Sequence, residues 1–306
     1  MKLICIAGPT ASGKTSFAVE LAKRVNGEII SADSMQIYKN MNIGTAKPSA
    51  EEMQGIKHYL IDEITPFESF SVSDFTERAR KYIEEIRAKG KQPIVAGGTG
   101  LFISSLIDNV QFSEGEADYE LREELRKTAE EKGADFLHGM LLEIDPVSAE
   151  RIHPNNIKRV IRAIEIYKTT GITMTEQNEK SKLIPSPYEL TYFGLTGPRE
   201  LLYERIDKRV DIMMNMGLVK EVSDLMEAGL DLTYNSMQGI GYKETVRYLT
   251  GEVTLAEATE DIKRESRRYA KRQLTWFRRD ERIKWADISI YNTNEKLMEY
   301  FYHEQK

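Results

Sequence analysis

The sequence predicts an α/β fold built on a parallel sheet, on three observations. Short continuous apolar runs alternate with helical periodicities, the first run feeds directly into a glycine-rich phosphate motif, and the same alternation recurs up to Gly100. Residues 2–7 (KLICIA) are apolar without a period-two pattern, as a strand covered on both faces requires. A helix is predicted over 14–24, a second strand over 28–31, a helix over 74–89, and a third strand over 92–96 closed by Gly97-Gly98. Near Phe112 the strand runs give way to helical patterns that last until Pro185-Ser186-Pro187, which predicts a helical insertion at 113–187 between core segments 1–112 and 188–306. Inside it, Leu121, Leu125 and Ala129 precede Gly133, and Ile157, Val160, Ile161 and Ile164 precede Gly171, predicting two packed helices. A strand returns over 190–195, long helices follow over about 199–228 and 255–279, and a short apolar segment lies near 283–290.

Composition narrows the function classes. With 306 residues, 41% hydrophobic and 30% charged, the chain is long and apolar enough for a substantial core, which excludes collagen-like and wholly disordered classes. The single Cys5 excludes a disulfide framework or a multi-cysteine zinc site. No apolar run approaches the roughly 20 residues of a membrane span, and the first residues lack a signal-peptide layout. A soluble, cytoplasmic protein without membrane attachment is expected, and nothing compels more than a monomer.

Gly8, Pro9, Thr10, Ala11, Ser12, Gly13, Lys14 and Thr15 match G-x-x-x-x-G-K-[ST] in full, between a buried strand and a helix start. Glycines let the backbone curl so that successive N–H groups point at phosphate oxygens, and the helix dipole adds positive potential. Lys14 supplies a cation and Thr15 a hydroxyl suited to Mg²⁺. A plain strand-to-helix turn would not need Lys14-Thr15. The motif fixes phosphate binding and leaves open what carries the phosphates.

Ligands bind outside the carboxyl ends of parallel strands, where Asp33, Ser34, Met35 and Gln36 follow the second strand. A carboxylate near bound phosphates is repelled unless it holds a metal or removes a proton; a turn or cap aspartate is the alternative. Thr99, in the Gly97-Gly98-Thr99-Gly100 turn after the third strand, offers a hydroxyl at the same edge.

Although the net charge is −6, residues 261–285 hold ten Lys/Arg against four acids, leaving −12 on the remainder. At about 100° per residue, Arg264, Arg268, Lys271, Thr275 and Arg278 form one stripe, opposite Ile262, Tyr269, Ala270, Trp276 and Phe277. Lys158, Arg159 and Arg162 make a smaller cluster on an insertion helix. Charge runs are usually solvated faces; against that, unbalanced local charge in an acidic chain is costly, which favours an anionic partner. Arg205 and Arg209 share a helix face, either to clamp phosphate or to pair with Glu204 and Asp207.

The set GPTASGKT (8–15), SADSMQIYKNMNIGTAKP (31–48), VAGGTGLF (95–102), NNIKRVIRAIEIYKTTG (155–171), GIGYKE (239–244) and YAKRQLTWFRR (269–279) resembles the tRNA dimethylallyltransferases, in order and over nearly the whole chain. The resemblance implies a P-loop fold similar to nucleotide kinases. It implies a cradle for dimethylallyl diphosphate, with Mg²⁺, and transfer of the prenyl group to the exocyclic amine of adenine-37 beside the tRNA anticodon. Carried over by motif, Asp33 is the base, and Lys14, Thr15, Thr99 and Arg209 hold the diphosphate, with Asp33, Thr99 and Arg209 as the catalytic set. The expected RNA contacts are Asp33, Ser34, Met35, Gln36, Thr99 and Arg122; Lys158, Arg159, Val160, Ile161 and Arg162; Gln238, Gly239, Ile240, Gly241, Tyr242 and Lys243; and Lys271, Arg272, Gln273, Leu274, Thr275, Trp276, Phe277 and Arg278. The partner is the anticodon stem-loop. Lys158 stands where many relatives carry Gln, and Phe102 where Tyr is usual. One cysteine and four histidines give no counterpart to the zinc module of eukaryotic relatives.

The cradle alone would also suit a small-molecule kinase, and the prenyl chemistry an adenylate prenyltransferase; the basic clusters favour RNA over both. A non-catalytic RNA-binding switch would not need Asp33 beside the cradle. Lys271→Glu combined with Arg278→Glu is expected to weaken tRNA binding, and to flatten its salt dependence, while leaving diphosphate binding intact; equal loss of both affinities would contradict separate surfaces.

Overall fold

Leu3, Cys5, Ile6 and Ala7 are completely buried, so the strand that carries them can only sit inside a sheet covered on both faces. The computed structural model describes residues 1–111 and 118–304; the expected boundary at 112/113 lies outside the described residues. The chain divides into two compact units, Met1–Leu106 with Tyr188–Lys306, and Ile107–Pro187.

In chain order the first unit opens with β1 (Lys2–Ala7), α1 (Lys14–Arg24), β2 (Gly27–Ala32), α2 (Ala50–Met53), β3 (His58–Tyr59), α3 (Val72–Ala88), β4 (Gln92–Gly97) and α4 (Gly100–Ile107). The second unit contains α5 (Tyr119–Lys132), α6 (Ala134–Ile144), α7 (Pro146–Arg151), α8 (Ile157–Thr170) and α9 (Met174–Lys182). The first unit then resumes with β5 (Glu189–Thr196), α10 (Arg199–Met216), α11 (Leu218–Glu227), a 3₁₀ turn at Ser236–Gln238, α12 (Tyr242–Leu249), α13 (Leu255–Phe277), β6 (Lys284–Asp287) and α14 (Asn294–His303). The six strands are all parallel, in the order β3-β2-β4-β1-β5-β6.

Register decides where the loops go. Ala7 stands level with both Gly97 and Gly194, and Ala32 is level with Gly97. The segments after β1, β2 and β4 therefore leave the sheet at one edge. On one face, Phe17 of α1 stacks on Phe193 of β5 at 5.4 Å, and Phe301 of α14 meets both rings edge-on.

The helix predicted over 199–228 is two helices, because the chain turns at Gly217 in the left-handed region. α2, β3, α4, α12 and α14 have no counterpart in the sequence reading.

Among its described residues the second unit holds five helices, where two were expected. Gly133 ends α5 and starts α6, Asp145 caps α7 with Pro146 behind it, and a Thr173–Glu176 capping box opens α9. Its core gathers Leu125, Leu137, Leu141, Val160, Ile161 and Ile164. The side chains of Val160 and Ile161, expected as RNA contacts, are core residues: the apolar stripe of α8 turns inward. Arg122 and Arg162 both grip the buried Glu165 carboxylate, at 2.9 and 2.8 Å. Burial opposes ionisation of Glu165, but those two guanidiniums outweigh it and lower its pKa. Lys158 and Arg159 are exposed and form no ion pair among the described residues.

At the start of β2 the Glu28 carboxylate accepts from Lys91 (2.8 Å), Tyr59 (2.8 Å) and Lys89 (3.3 Å). Burial raises the Glu28 pKa, but these donors prevail and hold it at about 2, below the ordinary 4.5. A depressed folded-state pKa stabilises the fold above the unfolded value, and that contribution is lost as pH falls from 4.5 toward about 2. In thermal melts, Glu28→Gln is expected to lower Tm at pH 6, with the gap to the wild type closing across that acid window.

Candidate functional site

α1 starts at Gly13, whose φ of +86° suits a residue without Cβ, and its first turn has neither a side-chain cap nor an acidic residue. Its leading N–H groups are left for a ligand. They open on a cavity of about 570 Å³ in the first unit, lined by Thr10, Ala11, Gly13, Lys14 and Thr15 from the phosphate motif. Gly8, Pro9 and Ser12 are buried and do not line the cavity.

Lys14 donates to the Pro9 carbonyl at 2.6 Å. Burial first, and then the nearby Arg209 guanidinium, push the Lys14 pKa from 10.5 down to about 7, against a smaller opposing pull from Asp33. Arg209 lines the same cavity from α10, and burial lowers its pKa also. Of the acids that might have paired with it, Asp207 is engaged by Arg267, and Arg209 has no ion-pair partner among the described residues. Two cations facing one cavity repel each other until an anion arrives.

Asp33, Ser34, Met35 and Gln36 form the adjoining wall. Asp33 Oδ1 accepts the N–H groups of Met35 (2.9 Å) and Gln36 (3.3 Å), while Oδ2 has no hydrogen-bond partner among the described residues. Burial raises the Asp33 pKa despite those N–H bonds and the Lys14 charge. The result is a fixed carboxylate with one spare oxygen and more basicity than a solvated one.

Thr99 Oγ1 accepts the Ser34 N–H at 3.2 Å. The Tyr269 hydroxyl is raised to about 12, chiefly by burial and then by the Asp33 charge, with hydrogen bonding to Thr99 and Gln273 acting against it. Thr99 thus steadies the Asp33 segment from the loop after β4 and does not itself line the cavity.

Gln238, Gly239, Ile240, Tyr242 and Lys243 close another side. The Tyr242 side chain is buried, its hydroxyl donating to Glu221 Oε1 at 2.7 Å, and Gly241 is buried behind it. Glu221 also accepts the N–H groups of Asn42 and Ile43 (both 2.8 Å) and Gly44 (3.0 Å). Gln36 Nε2 donates to the Thr45 and Ala46 carbonyls, both at 3.3 Å, so residues 42–46 are held from two directions.

α13 has two working faces. Arg272 and Gln273 reach the cavity, whereas Arg268, Lys271, Thr275, Trp276 and Arg279, again with Arg272, line an open groove on its outer side. Arg278 is exposed beyond them. Phe277 is buried and Leu274 packs against the core, so these two expected RNA contacts support the ridge from below.

Sequence reasoning missed Tyr269 as a site residue, along with Glu221 and the apolar wall of Ile206, Val210 and Met213. Tyr269 precedes Gln273 by one helical turn, a spacing that could have linked them. The Glu221 bonds span nearly 180 residues and leave no local signal.

The family model described as IPP transferase matches residues 36–280. A tRNA dimethylallyltransferase of Acetivibrio thermocellus is 57% identical over 296 residues, covering 97% of this chain and 95% of the relative. The crystal structure of a full-length tRNA isopentenylpyrophosphate transferase from Bacillus halodurans is similar with a TM-score of 0.74 at 48% identity, over 99% of this chain and 95% of that one. A eukaryotic dimethylallyltransferase, solved in crystallographic snapshots of its action on tRNA, gives a TM-score of 0.83 at 32% identity, over 96% of this chain and 76% of its own.

An anion placed beside Lys14 favours its charged form and raises its pKa from about 7. At pH 8, binding of inorganic diphosphate is therefore expected to take up protons, read as a buffer-dependent heat in titration calorimetry. The uptake should fade toward pH 6, where Lys14 is already charged, and should be absent in Lys14→Met.

Proposed function

The chain belongs to the IPP transferase family, and we propose that it transfers the dimethylallyl group of dimethylallyl diphosphate to the exocyclic amine of adenine-37 in tRNA, yielding isopentenyladenosine and diphosphate. One observation carries this reading: two mutually repelling cations, Lys14 and Arg209, share a cavity with a fixed carboxylate whose second oxygen is unused. The cations and the α1 N–H groups suit a leaving diphosphate, and Asp33 suits an amine proton.

The chemistry explains why both are needed. The adenine amine is a poor nucleophile, since its lone pair is delocalised into the ring. Asp33 Oδ2 accepts a proton from that nitrogen as the carbon–nitrogen bond forms. The allylic carbon–oxygen bond breaks, and its electron pair leaves with the diphosphate. Lys14, Arg209 and the amides of α1 absorb the charge that develops there, in fixed positions that need no reorganisation. Thr99 keeps the Asp33 segment in register through the Ser34 N–H.

Mg²⁺ suits this site. The Thr15 hydroxyl lies on the cavity wall, and no cluster of three or more His, Cys, Asp or Glu is found among the described residues. That donor set matches an ion held largely by substrate phosphates and water. When bound, it supplies further charge neutralisation to the diphosphate.

The anticodon stem-loop is read by the outer face of α13, through Lys271, Arg272, Thr275 and Arg278, and by Lys158 and Arg159 on α8. Adenine must leave the loop stack to reach Asp33, at a cost of a few kcal/mol, which phosphate contacts on these faces offset. No helix among the described residues is long and apolar enough to cross a membrane.

Mass spectrometry of nucleosides from tRNA incubated with the protein, Mg²⁺ and dimethylallyl diphosphate should find isopentenyladenosine; unmodified adenosine throughout would sink the proposal. Asp33→Ala is expected to bind both substrates but to lower single-turnover transfer by about 10²–10⁴-fold.

A further inference from the structure

We propose that Gln273 is a positioning residue for prenyl transfer, its side-chain amide fastening the phosphate loop to the loop after β4; this rests on the function proposed above. The residue was expected to contact RNA. It is 6% exposed and faces inward from α13, away from the outer groove of Lys271 and Thr275.

Both ends of the amide are used. Oε1 accepts the Thr10 N–H at 2.8 Å, and Nε2 donates to the Gly98 carbonyl at 2.9 Å. The fit is close, since a Cβ on Gly98 would lie 2.2 Å from Nε2. One turn earlier, the Tyr269 hydroxyl lies near enough to Thr99 and Gln273 for both to lower its pKa, and Thr99 accepts the Ser34 N–H next to Asp33. The diphosphate cradle and the segment of the base are thus both referenced to one face of one helix. No local bond along the chain does this, because Gln273 is 263 residues from Thr10 and 175 from Gly98.

Such a bridge fixes the distance between the departing oxygen and the amine, on which in-line transfer depends steeply. A displacement of about 1 Å can cost about 10²-fold in rate. Gln273→Leu keeps approximate volume and removes both bonds. Gln273→Glu keeps an acceptor for Thr10 but sets a carboxylate oxygen against the Gly98 carbonyl. Ionised at the upper end of the pH range, that carboxyl gains a donor when protonated as pH falls, which restores both bonds. The groups sharing this cavity, Asp33, Tyr269, Lys14, Arg209 and Arg272, are common to wild type and variant, so the ratio of their rates isolates position 273.

The experiment measures kcat and KM with an anticodon stem-loop RNA and dimethylallyl diphosphate, and separately the affinity for inorganic diphosphate with Mg²⁺. Gln273→Leu should lose about 10²-fold in kcat with RNA KM unchanged and diphosphate affinity reduced. Gln273→Glu should regain activity relative to wild type as pH is lowered. A raised RNA KM with unchanged kcat, or a pH-independent Glu/wild-type ratio, overturns the proposal. If Gln273→Leu fails to fold, the pH ratio of Gln273→Glu decides. Absence of prenyl transfer by the wild type would refute the functional reading, while the diphosphate affinities would still test the bridge.

Discussion

Parallel pairing of β1 with β4 on one side and β5 on the other is the constraint on which the rest of the first unit depends. It sets Ala7, Gly97 and Gly194 level, and β2 brings Ala32 to the same line. Three loops of unrelated sequence then emerge side by side: one rich in free N–H groups, one carrying a carboxylate, and one of glycines that admits a side chain from α13. In an antiparallel arrangement neighbouring strand ends would point opposite ways and the three could not meet.

Electrostatic tension within that meeting point defines its chemistry. Lys14 and Arg209 face one cavity with neither charge neutralised by an ion pair among the described residues, and the carboxylate between strand end and cavity is itself desolvated. Each group resists its own charged form there, by burial above all. A bound diphosphate would relieve the two cations, and a proton taken from an amine would relieve the carboxylate.

The second unit illustrates how a basic cluster divides between structure and binding. Four cations, Arg122, Lys158, Arg159 and Arg162, share similar chemistry, but the buried Glu165 carboxylate takes two of them, both partly exposed, into ion pairs. Lys158 and Arg159 have no such task, and their charge is available to a polyanion.

β1, α1, β2, α3 and β4, and the phosphate motif between β1 and α1, were legible in the sequence, because burial on two faces, helical periodicity and the geometry of an anion-binding loop each demand particular residues at particular spacings. The outward stripe of α13 was legible for the same reason. Local sequence could not reveal the two-residue β3, the break at Gly217, or the division of the insertion into five helices, where short caps outweigh periodicity. Nor could it show that Glu221 holds residues 42–44, or that Gln273 turns inward to join Thr10 to Gly98. By itself the sequence determined which groups the protein possesses and the class of anion they suit; the tertiary structure alone decided which of them meet, since hydrogen bonds between residues far apart in the chain depend on packing that no local pattern encodes.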